Sequence, residues 1–177
     1  MKRFILTGTP GCGKTSIIRA LEMKGHLVVS EAATDVIAYE QVQGNVEPWK
    51  HPNFIDEIIQ LQKQRQVQIE KVLSGLQFYD RSPICTYALA TYLGFIPSVA
   101  LLQEIERIEK TKVYQKQVFF IENLGFCSPT DARKISFEES LVFEKIHEEA
   151  YAKFGYNCIK IPPKPLLERI NSILKLV

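Results

Sequence analysis

The chain has 177 residues, of which 46% are hydrophobic and 24% charged, with a formal net charge of +2. That length suits one domain with a substantial core, and the composition excludes a disordered chain. The charge is too mild to imply a nucleic-acid surface, and no window approaches the roughly 18 uninterrupted apolar residues of a membrane span. The apolar run Phe4-Ile5-Leu6 is too short for a signal peptide, and Cys12, Cys85, Cys127 and Cys158 form no CxxC pair. A reduced, cytoplasmic setting is therefore expected, without membrane or nucleic-acid partners.

Residues 3–7 read as a buried strand, being brief, apolar and bounded by Gly8. A helix over 13–24 carries Ile17, Ile18 and Leu21 on one face, with Gly25 where a C-terminal cap falls. Leu27, Val28 and Val29 make a second strand, and a polar helix over 31–43 closes at Gly44 and Asn45. The two prolines of 47–52 predict a loop. A long helix over 53–74 takes Asn53 as its cap and an apolar face from Ile55, Ile58, Ile59, Ile69, Val72 and Leu73. Its row Gln60, Gln62, Gln64, Gln66 and Gln68 reads as a solvated face. A third strand over 76–80 ends in Asp80, and helices over 83–93 and 98–110 follow. A fourth strand over 118–121 leads into a polar loop over 122–136. Ile135, Val142, Ile146, Ala150 and Phe154 mark a long helix that ends at Gly155. A fifth strand over 158–161, Pro162-Pro163 and a last helix with Leu166, Ile170, Ile173 and Leu174 inward complete the chain.

Five short strands separated by helices predict an α/β fold of three layers, a five-stranded parallel sheet with helices on both faces. Ligands of such sheets bind beyond the carboxyl ends of the strands. Gly8, Ser30, Glu31, Asp80, Arg81 and Glu122 then share one rim.

Gly8-Thr9-Pro10-Gly11-Cys12-Gly13-Lys14-Thr15 matches GxxxxGK[ST] at every fixed position, between a strand and a helix that Ser16 continues. A phosphate chain needs many donors aimed at one small volume. Glycines let main-chain amides approach, and with the helix N-terminus they form an anion nest. Lys14 adds a mobile charge for the β and γ phosphates, and the Thr15 hydroxyl is a hard-oxygen ligand suited to Mg²⁺. Asp80, at the end of an apolar strand, suits the same ion. Cys12 is either a reactive thiol in a positive field or simply the small residue this position accepts.

With Val28-Val29-Ser30-Glu31-Ala32-Ala33, Asp80-Arg81-Ser82-Pro83 and Tyr151-Ala152-Lys153-Phe154-Gly155-Tyr156 leading to Ile161-Pro162, the chain resembles a P-loop NTPase of the nucleoside-kinase-like branch. More narrowly it is similar to the small AAA-type ATPases of the AAA_28 family, relatives of the nicotinamide-riboside kinase domain. The resemblance implies a nucleotide-kinase-like P-loop NTPase fold, ATP or GTP as the nucleotide, and Mg²⁺. It makes Glu31 a general base or acceptor ligand, although an acidic residue in a first helical turn also suits the dipole; Asp35 lies one turn on. It places a lid over 122–136 with Arg133 at the family's basic lid position beside Lys134, unless these are a solvated pair. It places Pro162 in a loop that packs on the nucleotide base, unless it only punctuates the chain.

Motor ATPases usually follow the strand-end Asp with Glu to polarise water, whereas here Arg81 follows. Arg81 can hold an anion or a transferring phosphoryl, or be a surface ion pair at a helix start. Tyr39, Trp49, His51 and Phe54 either stack on a planar acceptor or plug a core. His26 and His147 show no ligand spacing and receive no role. The leading expectation is a small-molecule kinase that moves the ATP γ-phosphoryl to a nucleoside-like or other small acceptor. The alternative is an ATP- or GTP-dependent regulatory binding module with slow hydrolysis. The chain lacks NKxD, which favours ATP, and a ring motor is disfavoured, so a monomer or dimer is expected.

Overall fold

In the computed structural model, which describes residues 1–69, 75–125 and 136–177, five strands form a single parallel sheet. They are β1 (Lys2–Thr7), β2 (Leu27–Val29), β3 (Leu76–Asp80), β4 (Gln117–Ile121) and β5 (Asn157–Ile161), in the order β2-β3-β1-β4-β5. Side chains alternate across the sheet, as the pleat requires. Phe4 and Leu6 of β1 face one way, with Phe78, Phe119 and Ile121, and are covered by α1 (Lys14–Met23) and α7 (Leu166–Leu174). Ile5 faces the other way, with Tyr79 and Val118, and is covered by α4 (Pro83–Tyr92), α5 (Val99–Lys110) and α6 (Phe137–Lys153). The fold is thus the expected α/β sandwich of three layers. The Phe4 ring lies 6.1 Å from that of Phe78 and 5.6 Å from that of Phe119, which fixes β1 between β3 and β4.

A third apolar cluster stands away from the sheet. It joins α2 (Ala32–Val42), α3 (Asn53–Ile69), α4 and α5 through Val36, Phe54, Ile58, Ala90, Leu101 and Ile105. These helices build a wall beyond the strand ends. Their caps are ordinary local chemistry: Ser98 accepts the Leu101 amide at 3.1 Å, and Ser136 and Glu139 form a reciprocal capping box on α6.

Two expectations need amending. The predicted loop over 47–52 contains one 3₁₀ turn, Pro48–Lys50, because proline suits a first helical position. The glutamine row is not one solvated face, since a helix turns 100° per residue and scatters alternate positions. Gln66 is buried and accepts from Arg107 Nη2 at 2.6 Å, while Gln62 turns toward α4. Residues 70–74, the expected end of the third helix, lie outside the described residues, as do 126–135, which contain Arg133, Lys134 and most of the expected lid. Among the described residues, no helix is long and apolar enough to cross a membrane.

Candidate functional site

The glycine-rich loop leaves β1 against the neighbouring strand. Gly8 has φ +133°, and a Cβ there would sit 2.3 Å from the Ile121 carbonyl oxygen, so only glycine fits. Gly13 enters α1 in the left-handed region at φ +84°. The helix starts with no side-chain cap and no acidic residue in its first turn. Its positive end is left for an anion. Lys14 is buried, and its Nζ donates to the Gly8 and Thr9 carbonyls at 2.9 and 3.0 Å. Thr15 and Ser16 are exposed at the helix start, and Pro10 lines the neighbouring cavity. Cys12 is fully buried, which fits the small-residue reading, while its Sγ lies 3.4 Å from Lys14 Nζ.

Asp80 ends β3, buried, and the chain turns sharply after it. Arg81 has φ +76°, a strained conformation for a side chain with Cβ, and its amide donates to the Leu6 carbonyl at 3.0 Å. This turn aims the guanidinium back along the rim. Nε donates to Glu31 Oε1 at 2.5 Å, and Nη1 lies 3.3 Å from His147 Nε2. Neither member is a loose surface pair: the Arg81 and Glu31 side chains are 10% and 13% exposed. Burial opposes the Arg81 charge, but Glu31, with Cys85 and Asp80 nearby, outweighs it and raises the pKa.

His147 is fully buried, and its Nδ1 lies 2.9 Å from the Phe143 carbonyl. A carbonyl only accepts, so Nδ1 carries the proton and Nε2 accepts from Arg81. Burial first, and Arg81 second, push the His147 pKa down to about 3. Sequence spacing gave His147 no role, yet it orders the arginine. Tyr151 supports the same turn, with its hydroxyl 2.9 Å from both Ser82 Oγ and Cys85 Sγ.

Glu31 is fixed from the opposite side. Thr34 Oγ1 donates to its Oε2 at 2.9 Å. Arg65 of α3 donates to the Ser30 and Glu31 carbonyls at 3.0 and 2.8 Å and pairs with Asp35. Asp35 therefore serves the turn and not the rim.

Glu31 and Arg81 close one end of a cavity of about 310 Å³ that Pro10 also borders. Its walls are mostly apolar, with Trp49, Phe54, Tyr92 and Phe143 as aromatic faces. Gln62 and Thr86 also line it, and the Thr86 hydroxyl donates to Gln62 Oε1 at 3.1 Å. The expected aromatic group is thus divided: Trp49 and Phe54 line the cavity, while Tyr39 and His51 are exposed elsewhere. Pro162 is exposed at the turn after β5. Sequence reading missed His147, Arg65, Gln62 and Arg169. The distant partners of His147, Arg65 and Arg169 lie 30 to 157 residues away, and Gln62 sits inside a uniform glutamine row.

The donor set suits Mg²⁺. Thr15 offers a hydroxyl and Asp80 a carboxylate, both hard oxygens. Among the described residues no three His, Cys, Asp or Glu side chains converge on a metal site, and Mg²⁺ commonly takes only one or two protein ligands plus substrate phosphates.

Solved structures share this architecture. The chain is similar to deoxyadenosine kinase from M. mycoides with the products dCMP and dCDP bound, at 14% identity and a TM-score of 0.64, over 98% of this chain and 97% of that one. The same kinase with dATP gives 14% identity, a TM-score of 0.61 and coverage of 99% and 98%. NadR in complex with NAD and AMP-PNP gives 16% identity and a TM-score of 0.70, over 98% of this chain and 49% of that one, so the chain spans about half of NadR. The fold is that of the P-loop nucleoside kinases. No curated protein matches the chain. Residues 3–169 match the model of AAA_28, an AAA domain, and the chain belongs to that family.

Proposed function

We propose that the protein is a kinase that transfers the γ-phosphoryl of ATP to a hydroxyl of a small, uncharged, planar acceptor of the nucleoside type. The observation that carries this reading is the Glu31–Arg81 pair, set where a mostly apolar cavity meets the glycine-rich loop. Gly8, Thr9, Pro10, Gly11, Cys12, Gly13 and Ser16 cradle the phosphates with Lys14 and Thr15. Lys14 exchanges its loop carbonyls for the β and γ phosphates. Thr15 and Asp80 would hold Mg²⁺, which when bound neutralises charge across those phosphates. Glu31 orients the acceptor hydroxyl and takes its proton, while Arg81 steadies the charge that develops beside it. By resemblance, Arg133 adds a lid cation and Pro162 packs by the nucleotide base. The same reading takes the chain as one domain, working in the cytoplasm as a monomer or dimer.

Charge selects the acceptor. Among the described residues Arg81 is the sole cation lining the cavity, and it is already committed to Glu31 and His147. An acceptor phosphate would meet Glu31 with no clamp of its own, so a hydroxyl is favoured over a nucleoside monophosphate. The aromatic walls suit a planar ring, and Gln62 can pair with its polar edge. ADP release, measured with a panel of nucleosides and nicotinamide riboside, should depend on at least one of them. Intact ATP binding with no acceptor-dependent turnover would overturn the kinase reading and favour the regulatory module.

A further inference from the structure

Arg169 of α7 is 4% exposed, and the phosphate chemistry above does not use it. Its Nη1 donates to the Cys12 carbonyl at 2.9 Å, across 157 residues of sequence, and its Nη2 donates to the Glu122 carbonyl at 3.2 Å. Its Nε is buried with no hydrogen-bond partner among the described residues. Its bonded donors therefore end on main-chain oxygens. A buried guanidinium held this way is costly unless it serves something else.

The geometry points to a positioning role: Arg169 pins the Cys12–Gly13 peptide so that the Gly13 amide faces the bound phosphates. A trans peptide is planar, and its C=O and N–H point in opposite directions. Holding the Cys12 oxygen toward α7 turns the Gly13 N–H away from α7, into the cradle. The fit is close, since a Cβ on Gly13 would lie 3.2 Å from Arg169 Nη1. The second fork, on Glu122, ties the same peptide to the chain leaving β4. A lysine cannot span both oxygens, because it lacks the planar fork.

This inference rests on the nucleotide-binding reading, and binding alone tests it, with no need for turnover. ADP affinity is measured by calorimetry, and the Gly13 amide proton is followed by NMR, for the wild type, Arg169→Met and Arg169→Lys. In the wild type, ADP should move the Gly13 amide proton downfield. Arg169→Met should weaken ADP roughly tenfold or more and shrink that shift, with Arg169→Lys between the two. Should the Met variant fail to fold, the Lys variant decides: a several-fold loss with a smaller Gly13 shift supports the assignment. ADP affinity at the wild-type level in a folded variant, or lost affinity with the Gly13 shift intact, overturns it. A wild type that binds no ADP removes the nucleotide-binding reading as well, which separates the two failures.

Discussion

Burying His147 beside a guanidinium fixes a charge state as well as a position. Its pKa falls to about 3 from an ordinary 6.5 because burial, and then Arg81, disfavour the imidazolium. The native state thus refuses a proton that the unfolded chain accepts. Above about pH 6.5 both states are neutral and nothing is lost; as pH falls from there toward 3, native stability declines by at most ~1.4 kcal/mol per unit. Urea unfolding of the wild type and His147→Asn near pH 7.5 and pH 5 checks this. The wild type should lose up to ~2 kcal/mol more than the variant over that interval, and parallel losses would contradict a buried neutral ring. Glu31 allows a second test at this scale. Glu31→Gln keeps an acceptor for Arg81 Nε but cannot take a proton, so acceptor-dependent kcat should drop roughly 10²-fold while ATP affinity stays within a few-fold. Steady-state kinetics beside calorimetry separates the two. Lys14 and Asp80 stood out in the sequence because a local pattern or a strand end marks them. His147 and Arg65 did not, because their significance lies in a partner far along the chain.

Elements were legible wherever one local rule ruled alone. Gly25, Gly94 and Gly155 follow helices, and the sheet strands are short apolar runs between breakers, so their type and place along the chain followed from the sequence. Reading failed where two periods compete. The alternate glutamines of α3 look like one stripe on paper, but helical rotation sends Gln66 inward and Gln62 to the cavity. The junction of β1 with the glycine-rich loop is where an element is most constrained. Gly8→Ala would set a methyl group against the Ile121 carbonyl in a backbone region that alanine avoids. We expect at least ~2 kcal/mol of lost stability in urea titration, together with loss of ATP binding. A variant that melts and binds like the wild type would mean the loop can swing away from β4.

At the scale of the molecule, the proposed function assigns one reactant to the sheet and the other to the helical wall. Strand order places the ends of β1 and β3 side by side, with Leu6 paired to Asp80, so the glycine-rich loop and Arg81 meet by topology. That half of the candidate site was legible, because a motif and the rule for parallel sheets locate it together. The proposed acceptor half was not. Its lining comes from α2, the turn at Trp49, α3, α4 and α6, and convergence of that kind depends on helix packing that no single stretch encodes. The two halves should therefore be separable by substitution. Ala33 lines the cavity on α2 and is only partly buried, so a larger side chain there fills space without overpacking the core. Ala33→Phe should raise the acceptor KM at least ~10-fold, while Mg-ATP binding and melting temperature remain near wild type. Isothermal titration with ATP, run beside acceptor kinetics, distinguishes the outcomes. If ATP affinity falls in step with acceptor affinity, the cavity belongs to the nucleotide donor, and the division of labour between sheet and wall is wrong.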